Sequence, residues 1–289
     1  DGSFSFENIP YGTWYVREIE QPAGFVLDDT IYPVTIGAYG QVVEIKIVNK
    51  YVRGNIHLTK VDSEYPDNKL TGATFEVYKD SNATGKLDDG DELLGTLTEK
   101  EIGEYGMNDL FYGRYFVKET KAPEGFVLDT GVYEVMIDTN GKTYQVENKA
   151  GVGFINEAMR GNLKIVKTSS DGKVKGFAFR ITGANGYDII LETNDKGEIF
   201  IDGLRIGDYT ISEVSNSASS MYVLPADKKA TVKLGSTTIV EMHNVLRDTP
   251  KTGDTTNLPL LYALAGLSAV GIAVCGVIGF KKKKKEDRN

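Results

Sequence analysis

The sequence predicts an all-β chain: tandem β domains followed by a single C-terminal transmembrane helix. Three observations predict it. Gly (32), Tyr (16) and Phe (12) are plentiful, and long amphipathic stretches of helical period are missing before the last forty or so residues, a mix that favours short strands joined by turns. A phrase recurs about a hundred residues apart, WYVREIEQPAGFVLD at 14–28 and YFVKETKAPEGFVLD at 115–129, so the chain is an array of like units. Finally, residues 258–280 form an uncharged apolar run.

The gross numbers set outer limits. At 289 residues the chain has room for two or three domains, and 40% hydrophobic with 26% charged residues suits folded material. The net charge is −8; the tail after residue 280 carries +4, which leaves −12 on residues 1–257. A field of that sign repels phosphate, so no nucleic acid partner is expected. With one cysteine, Cys275, no disulfide closes within the chain, and its place in the apolar run marks it as packing rather than a nucleophile. The opening DGSFSF has neither a start methionine nor a signal peptide, the look of a fragment or processed form.

The units read in order as 1–52, 53–158 and 159–247. Gly12, Gly113 and Gly207 each stand six residues before a glutamate: Glu18, Glu119 and Glu213. Each glutamate ends an alternating run, Trp14-Val16-Glu18, Tyr115-Val117-Glu119 and Tyr209-Ile211-Glu213. Residues two apart share a strand face, so each glutamate points where the aromatic and aliphatic point, toward a core. Ile56-Leu58-Lys60 and Leu163-Ile165-Lys167 do the same with lysine. A lysine on a core face is costly unless paired or chemically altered. A third set of runs ends on asparagine: Ile45-Ile47-Asn49, Val152-Phe154-Asn156 and Val240-Met242-Asn244.

Glu18 to Asn49 and Glu213 to Asn244 both span 31 residues; Glu119 to Asn156 spans 37, and Asn148, also in phase, is the alternative partner in the second unit. Asn156 is preferred because Asn49 and Asn156 are each followed five residues later by Gly-Asn and a new strand. The first unit has Glu18 and Asn49 without a lysine, so it reads as a truncated domain. The third lacks the Pro-x-Gly phrase and has SEVSNSASSMYVL instead. Each complete unit thus aims one lysine, one glutamate and one asparagine inward from three strands. Geometry alone allows a buried ion pair beside an amide, or a reactive constellation.

A lysine in the first strand, a glutamate in Y-x-x-x-E-T-x-A-P-x-G-F and an asparagine in the last strand resemble the Cna B-type (SpaA-type, prealbumin-like) domains of Gram-positive adhesins and pilins. Tyr115, Glu119, Thr120, Ala122, Pro123, Gly125 and Phe126 match the motif, and the resemblance spans nearly all of residues 1–247. It implies immunoglobulin-like β-sandwiches in which Lys60 joins Asn156 and Lys167 joins Asn244 by internal isopeptide bonds, with Glu119 and Glu213 promoting the reaction. Burial supplies the chemistry: it favours a neutral lysine amine and a protonated glutamate. Such a bond forms once within the chain, so the protein is not expected to be an enzyme and needs no cofactor.

Other motifs are weaker. Asp80, Asn82, Asp88 and Asp91 fall near calcium-loop spacing in DSNATGKLDDGDE, but position 12 has Asp rather than Glu and the flanks read as strands, so an acidic solvated hairpin is the better reading and no metal is expected. His57 and His243 take the outward phase, and no phosphate loop, metal-spaced cluster or nucleophile elbow is present. Val77-Tyr78-Lys79-Asp80 is a faint echo of the lysine motif that polymerising pilins use.

The C-terminal segments come last. Residues 248–257 hold Thr249-Pro250-Lys251-Thr252-Gly253, residues 258–280 the apolar run, and residues 281–289 a basic tail opening on five lysines. As a helix, the run reaches ~35 Å, enough for a ~30 Å hydrocarbon core. The lysines would stay cytoplasmic, placing the preceding residues outside. This layout resembles the sorting signal of Gram-positive wall-anchored proteins, with Thr249 where Leu is usual. The resemblance implies cleavage between Thr252 and Gly253 by a sortase and transfer to peptidoglycan or its lipid-linked precursor, with the membrane as a partner before sorting. The expected role is an extracellular, wall-attached stalk that projects upstream domains and their unknown surface ligand. A pilin subunit and the anchor region of an extracellular enzyme are the alternatives.

Overall fold

The computed structural model describes residues 2–248; the expected sorting motif and transmembrane helix, and the basic tail, lie outside the described residues. Among the described residues the only helix is one 3-10 turn, Ala184–Gly186, and no helix is long and apolar enough to cross a membrane.

Alternation of apolar and polar side chains builds every sheet. In the first unit β1 (Gly12–Val16) and β2 (Tyr32–Ile36) pair antiparallel. The second unit contains β3 (Arg53–Asp62), β4 (Thr74–Lys79), β5 (Glu92–Thr96), β6 (Thr98–Glu101), β7 (Glu104–Phe111), β8 (Gly113–Lys121), β9 (Val132–Ile137), β10 (Thr143–Gln145) and β11 (Phe154–Asn156). One sheet runs β10-β3-β7-β6 with β11 also on β3; the other runs β5-β4-β8-β9. Ile56, Leu58, Phe75, Val77, Tyr115, Val117 and Phe154 from both sheets meet in one core.

The third unit contains β12 (Arg160–Ser169), β13 (Ala178–Thr182), β14 (Asp188–Glu192), β15 (Glu198–Arg205), β16 (Gly207–Val214), β17 (Tyr222–Val223), β18 (Lys228–Val232) and β19 (Thr237–Leu246). Its sheets run β15-β12-β19-β17 and β14-β13-β16-β18, around a second core that includes Leu163, Ile165, Phe179, Ile211 and Met242.

In both complete units the last strand lies parallel to the first. β19 runs along β12 for eight register pairs, whereas β10 and β11 share β3 between them. The residues between β10 and β11 loop out of the ladder, which accounts for the longer Glu119-to-Asn156 spacing of 37 against 31 for Glu213 to Asn244.

The glycine before each glutamate strand has a conformational reason. Gly12, Gly113 and Gly207 adopt φ of 137°, 145° and 136°, a region L side chains rarely enter. The turn is then pinned by a ring group bonding four residues back: Trp14 Nε1 to Pro10 O at 3.0 Å, Tyr115 Oη to Phe111 O at 2.7 Å and Tyr209 Oη to Arg205 O at 2.9 Å.

One expected strand is absent. Residues 41–50, carrying the Ile45-Ile47-Asn49 alternation, form no strand. The equivalent strands β11 and β19 are held by their unit's first strand, and among the described residues nothing stands in that place for the first unit.

Candidate functional site

Two positions per complete unit come from neighbouring strands of one sheet and the third from the sheet opposite. In the second unit, Lys60 has Phe154 as its register partner and Asn156 pairs two residues further on, with Asp62. Glu119 arrives from β8, where it pairs with Phe75. Lys60 and Glu119 are fully buried and Asn156 is 2% exposed. Asn156 Nδ2 donates to Glu119 Oε2 at 2.7 Å and to Val127 O at 2.5 Å, while Lys60 Nζ donates to Phe154 O at 2.9 Å. The third unit repeats the arrangement: Lys167 pairs with Met242, Asn244 with Ser169, and Glu213 with Phe179. Asn244 Nδ2 donates to Glu213 Oε1 at 2.7 Å, and Lys167 Nζ donates to Thr168 O.

Burial dominates the electrostatics. It pushes Lys60 down to about 8 although Glu119, Asp129 and Asp62 pull the other way. It lowers Lys167 likewise against Glu213 and Asp171. Burial raises Glu119 and Glu213 above the ordinary carboxylate value despite the asparagine hydrogen bonds that oppose it. Each shift favours the neutral form. Glu119 Oε1 and Asn156 Oδ1 are buried with no hydrogen-bond partner, and so are Glu213 Oε2 and Asn244 Oδ1. A buried acceptor left unmade costs about 1–3 kcal/mol, and here the same two kinds recur in both units.

Asn148 occupies a different place. Its amide donates to Asp129 Oδ2 at 2.6 Å and to Ile155 O at 2.8 Å, and its carbonyl accepts from Ile155 N at 2.7 Å, so it braces the loop between β10 and β11. In the first unit Asn49 Nδ2 bonds both Glu18 oxygens, at 2.6 and 2.9 Å, and both residues are only half-buried.

A further group was missed by the alternation pattern. Asp129 donates its backbone N–H to Glu119 Oε2 at 2.8 Å, and its carboxylate accepts from Tyr133 Oη, Gly131 N and Asn148. Burial pushes Asp129 up, but those hydrogen bonds outweigh it and hold the carboxyl below its ordinary value. Asp28 does the same in the first unit, bonding Glu18 at 2.8 Å through its N–H and Tyr32 through its carboxylate. The signal was the final letter of the repeated phrase, GFVLD. A cleft of about 390 Å³ opens here, lined by Asp129, Tyr133, Asn148 and Asn156 among others, although the Asn156 side chain itself is buried.

The acidic hairpin folds onto itself. Asp80 accepts from Thr84 N and Gly85 N, Asp88 from Asn82 Nδ2, Thr84 Oγ1 and Gly90 N, and Asp91 from Ser81 N and Asp88 N. Among the described residues no group of three or more His, Cys, Asp or Glu is placed to hold a metal ion. Lys79 is half-buried within β4, between β5 and β8. His57 bridges Gln145 and Glu104 outside the core.

The chain has relatives among known proteins. The SpaA prealbumin-like fold domain family matches residues 1–51, 54–150 and 161–245. The chain belongs to this family. Over 196 residues it is 30% identical to the trypsin-resistant surface T6 protein of Streptococcus pyogenes serotype M6, covering 66% of this chain and 32% of that one. Among solved structures it is similar to the Bacillus anthracis TIE protein, at 26% identity and a TM-score of 0.63, over 82% of this chain and 43% of the other. A streptococcal ancillary pilin is 22% identical with a TM-score of 0.30, over 83% and 76% of the two chains. The chain therefore spans about a third of the T6 protein and under half of the TIE chain.

Proposed function

We propose that this SpaA-family chain is the structural stalk of a cell-surface protein, and that its two complete domains weld themselves through Lys60–Asn156 and Lys167–Asn244 amide bonds. The observation that carries the weld is the recurring pair of unpartnered buried acceptors, one on the glutamate and one on the asparagine of each domain. A proton on the free glutamate oxygen supplies the donor both acceptors lack. Such a neutral acid polarises the asparagine carbonyl, which is what an attacking amine requires.

The balance is simple. The neutral lysine nitrogen attacks Cγ of the asparagine, and the glutamate accepts and returns protons. The C–N bond to the original amide nitrogen breaks, and one ammonia leaves per bond. Because the fold holds both reactants, entropy is prepaid and the step turns over once. A crosslink closing about 100 residues contributes up to ~4.7 kcal/mol by loop entropy. It also links the first strand to the last, so tension passes through covalent bonds rather than the hydrogen-bonded ladder.

The streptococcal relative is described as a surface protein, and we extend that location to this chain. In this reading a sortase cuts between Thr252 and Gly253 and joins Thr252 to peptidoglycan or its precursor, with residues 258–280 holding the chain in the membrane beforehand. A stalk is favoured over a polymerising pilin because Lys79 is half-buried in an interior strand rather than presented to another subunit. Tryptic peptide mass mapping tests the weld: linked peptides joining Lys60 to Asn156 and Lys167 to Asn244 are expected, and unlinked peptides from folded protein would refute it. Incubation with sortase and an amine acceptor tests the anchor, with Thr252→Ala expected to block cleavage.

A further inference from the structure

The second domain's reactive pocket is completed by a residue of the third. Asp62 lies on β3 two residues beyond Lys60, is 1% exposed, and is the register partner of Asn156. Its carboxylate is gripped from the next domain: Arg205, at the end of β15, donates to Asp62 Oδ2 at 2.6 Å and to Oδ1 at 2.8 Å. The same guanidinium bonds Glu64 Oε2 at 2.7 and 3.0 Å and lies over the Tyr65 ring, 4.9 Å from its centroid. Arg160 pairs with Glu64 alongside. The Arg205 side chain is 15% exposed, so this is a mostly desolvated pair rather than a rim contact.

Three acids pull Lys60 upward, in falling order Glu119 from β8, Asp129 from the loop after it, and Asp62, two residues along Lys60's own strand. Each favours the ammonium form, which cannot attack. Among the described residues Asp62 has no ion-pair partner other than Arg205. In the third domain Ser169 stands where Asp62 does, opposite Asn244, and the second acid acting on Lys167, Asp171, is held within its own domain by Tyr222 Oη and Ser169 Oγ.

Resting on the weld proposed above, we infer that docking of the third domain licenses bond formation in the second: Arg205 takes up the Asp62 carboxylate and frees Lys60 to react with Asn156. The third domain closes on its own, and the second closes once its neighbour has folded against it. Arg205 acts through Asp62 and touches neither reacting atom, so it is a positioning residue.

The test uses the full chain made in a cell-free reaction, quenched in acid at intervals and mapped by peptide mass, so each crosslink has its own half-time. In Arg205→Ala the Lys60–Asn156 bond is expected to form about tenfold more slowly for each unit by which the lysine's pKa rises, with the rate profile displaced to higher pH. The Lys167–Asn244 bond keeps its rate and reports that the third domain folds. Asp62→Asn combined with Arg205→Ala removes the negative charge together with the contact, while the asparagine Oδ1 can still accept from Glu64 N as Asp62 Oδ1 does, and should restore the second bond to near its original rate. An unchanged second bond in Arg205→Ala overturns the inference. So does a double variant as slow as the single one, which would make the contact a matter of packing. If the Lys60–Asn156 bond never forms in the unaltered chain, the weld itself is wrong.

Discussion

Three carboxyls act on Lys60 and two on Lys167. Around Lys60 stand Glu119, Asp129 and Asp62; around Lys167 stand Glu213 and Asp171, the latter engaged by Tyr222 Oη at 2.6 Å and Ser169 Oγ at 2.9 Å. Ser169 replaces Asp62, and Val223 stands ten residues after Glu213, where Asp129 follows Glu119. The comparison separates what the reaction needs from what surrounds it. Amine, acid and amide recur in both domains with both free acceptors, so they form the chemical minimum. The extra acids of the second domain pull Lys60 toward its charged form, and burial outweighs them.

The largest contrast comes from removing either acid. Glu119→Ala should leave only the second domain open and Glu213→Ala only the third, each retaining one ammonia. Each loses up to ~4.7 kcal/mol of crosslink stabilisation in its own unfolding transition. Mass spectrometry and denaturant titration read both effects, and loss of both bonds from one substitution would break the independence of the chemical triads.

Next in size, Asp129→Asn weakens the bracing of Tyr133, Gly131 and Asn148 around the second pocket. A loss of about 1–3 kcal/mol is expected in that domain. The third domain has no such acid and serves as the control, so an equal shift in its unfolding midpoint would show that the comparison is misdrawn.

The candidate residues were legible because strand alternation is a local rule: an ionisable group in apolar phase stands out when the pattern repeats. Lys60, Lys167, Glu119, Glu213 and Asn244 follow from period two and repetition alone. The Gly-Asn that follows five residues on favours Asn156 over Asn148, and the structure supplies the physical reason for the longer spacing, the chain looping out between β10 and β11. Asp129 was in plain sight at the end of the repeated phrase, yet it works from a turn through its backbone N–H, and alternation is silent about turns. The parallel pairing of first and last strands, and the Arg205–Asp62 contact across 143 residues, are long-range facts with no local signature. Residues 41–50 show the converse: strand alternation without a partner makes no strand.

A smaller effect concerns pH. Attack needs Lys60 neutral and Glu119 protonated. Raising the pH through about 8 gains the free amine, while the same rise strips the glutamate proton. The rate of second-domain bond formation should therefore be bell-shaped in pH, falling on both sides of its maximum. A rate that climbs without limit into alkali would remove Glu119 from the chemistry.

The smallest effect separates the two junctions. The first is aromatic: Phe25 stacks on Tyr51 at 4.8 Å, and Tyr51 meets Phe111 edge-on at 5.4 Å. The second is ionic, through Arg205, Asp62 and Glu64. At about 1 M salt the screening length falls to ~3 Å, so the partly exposed Glu64 contacts should weaken. Distance distributions between spin labels should broaden modestly across the second junction and hold across the first; equal broadening would erase the distinction.

The most direct measurement is the intact mass of folded residues 1–247. A mass short by two ammonias, with Lys60→Ala and Lys167→Ala each restoring one, is the predicted result. The full, undiminished mass in a correctly folded chain would contradict it and leave two buried ion-pair sites with no weld.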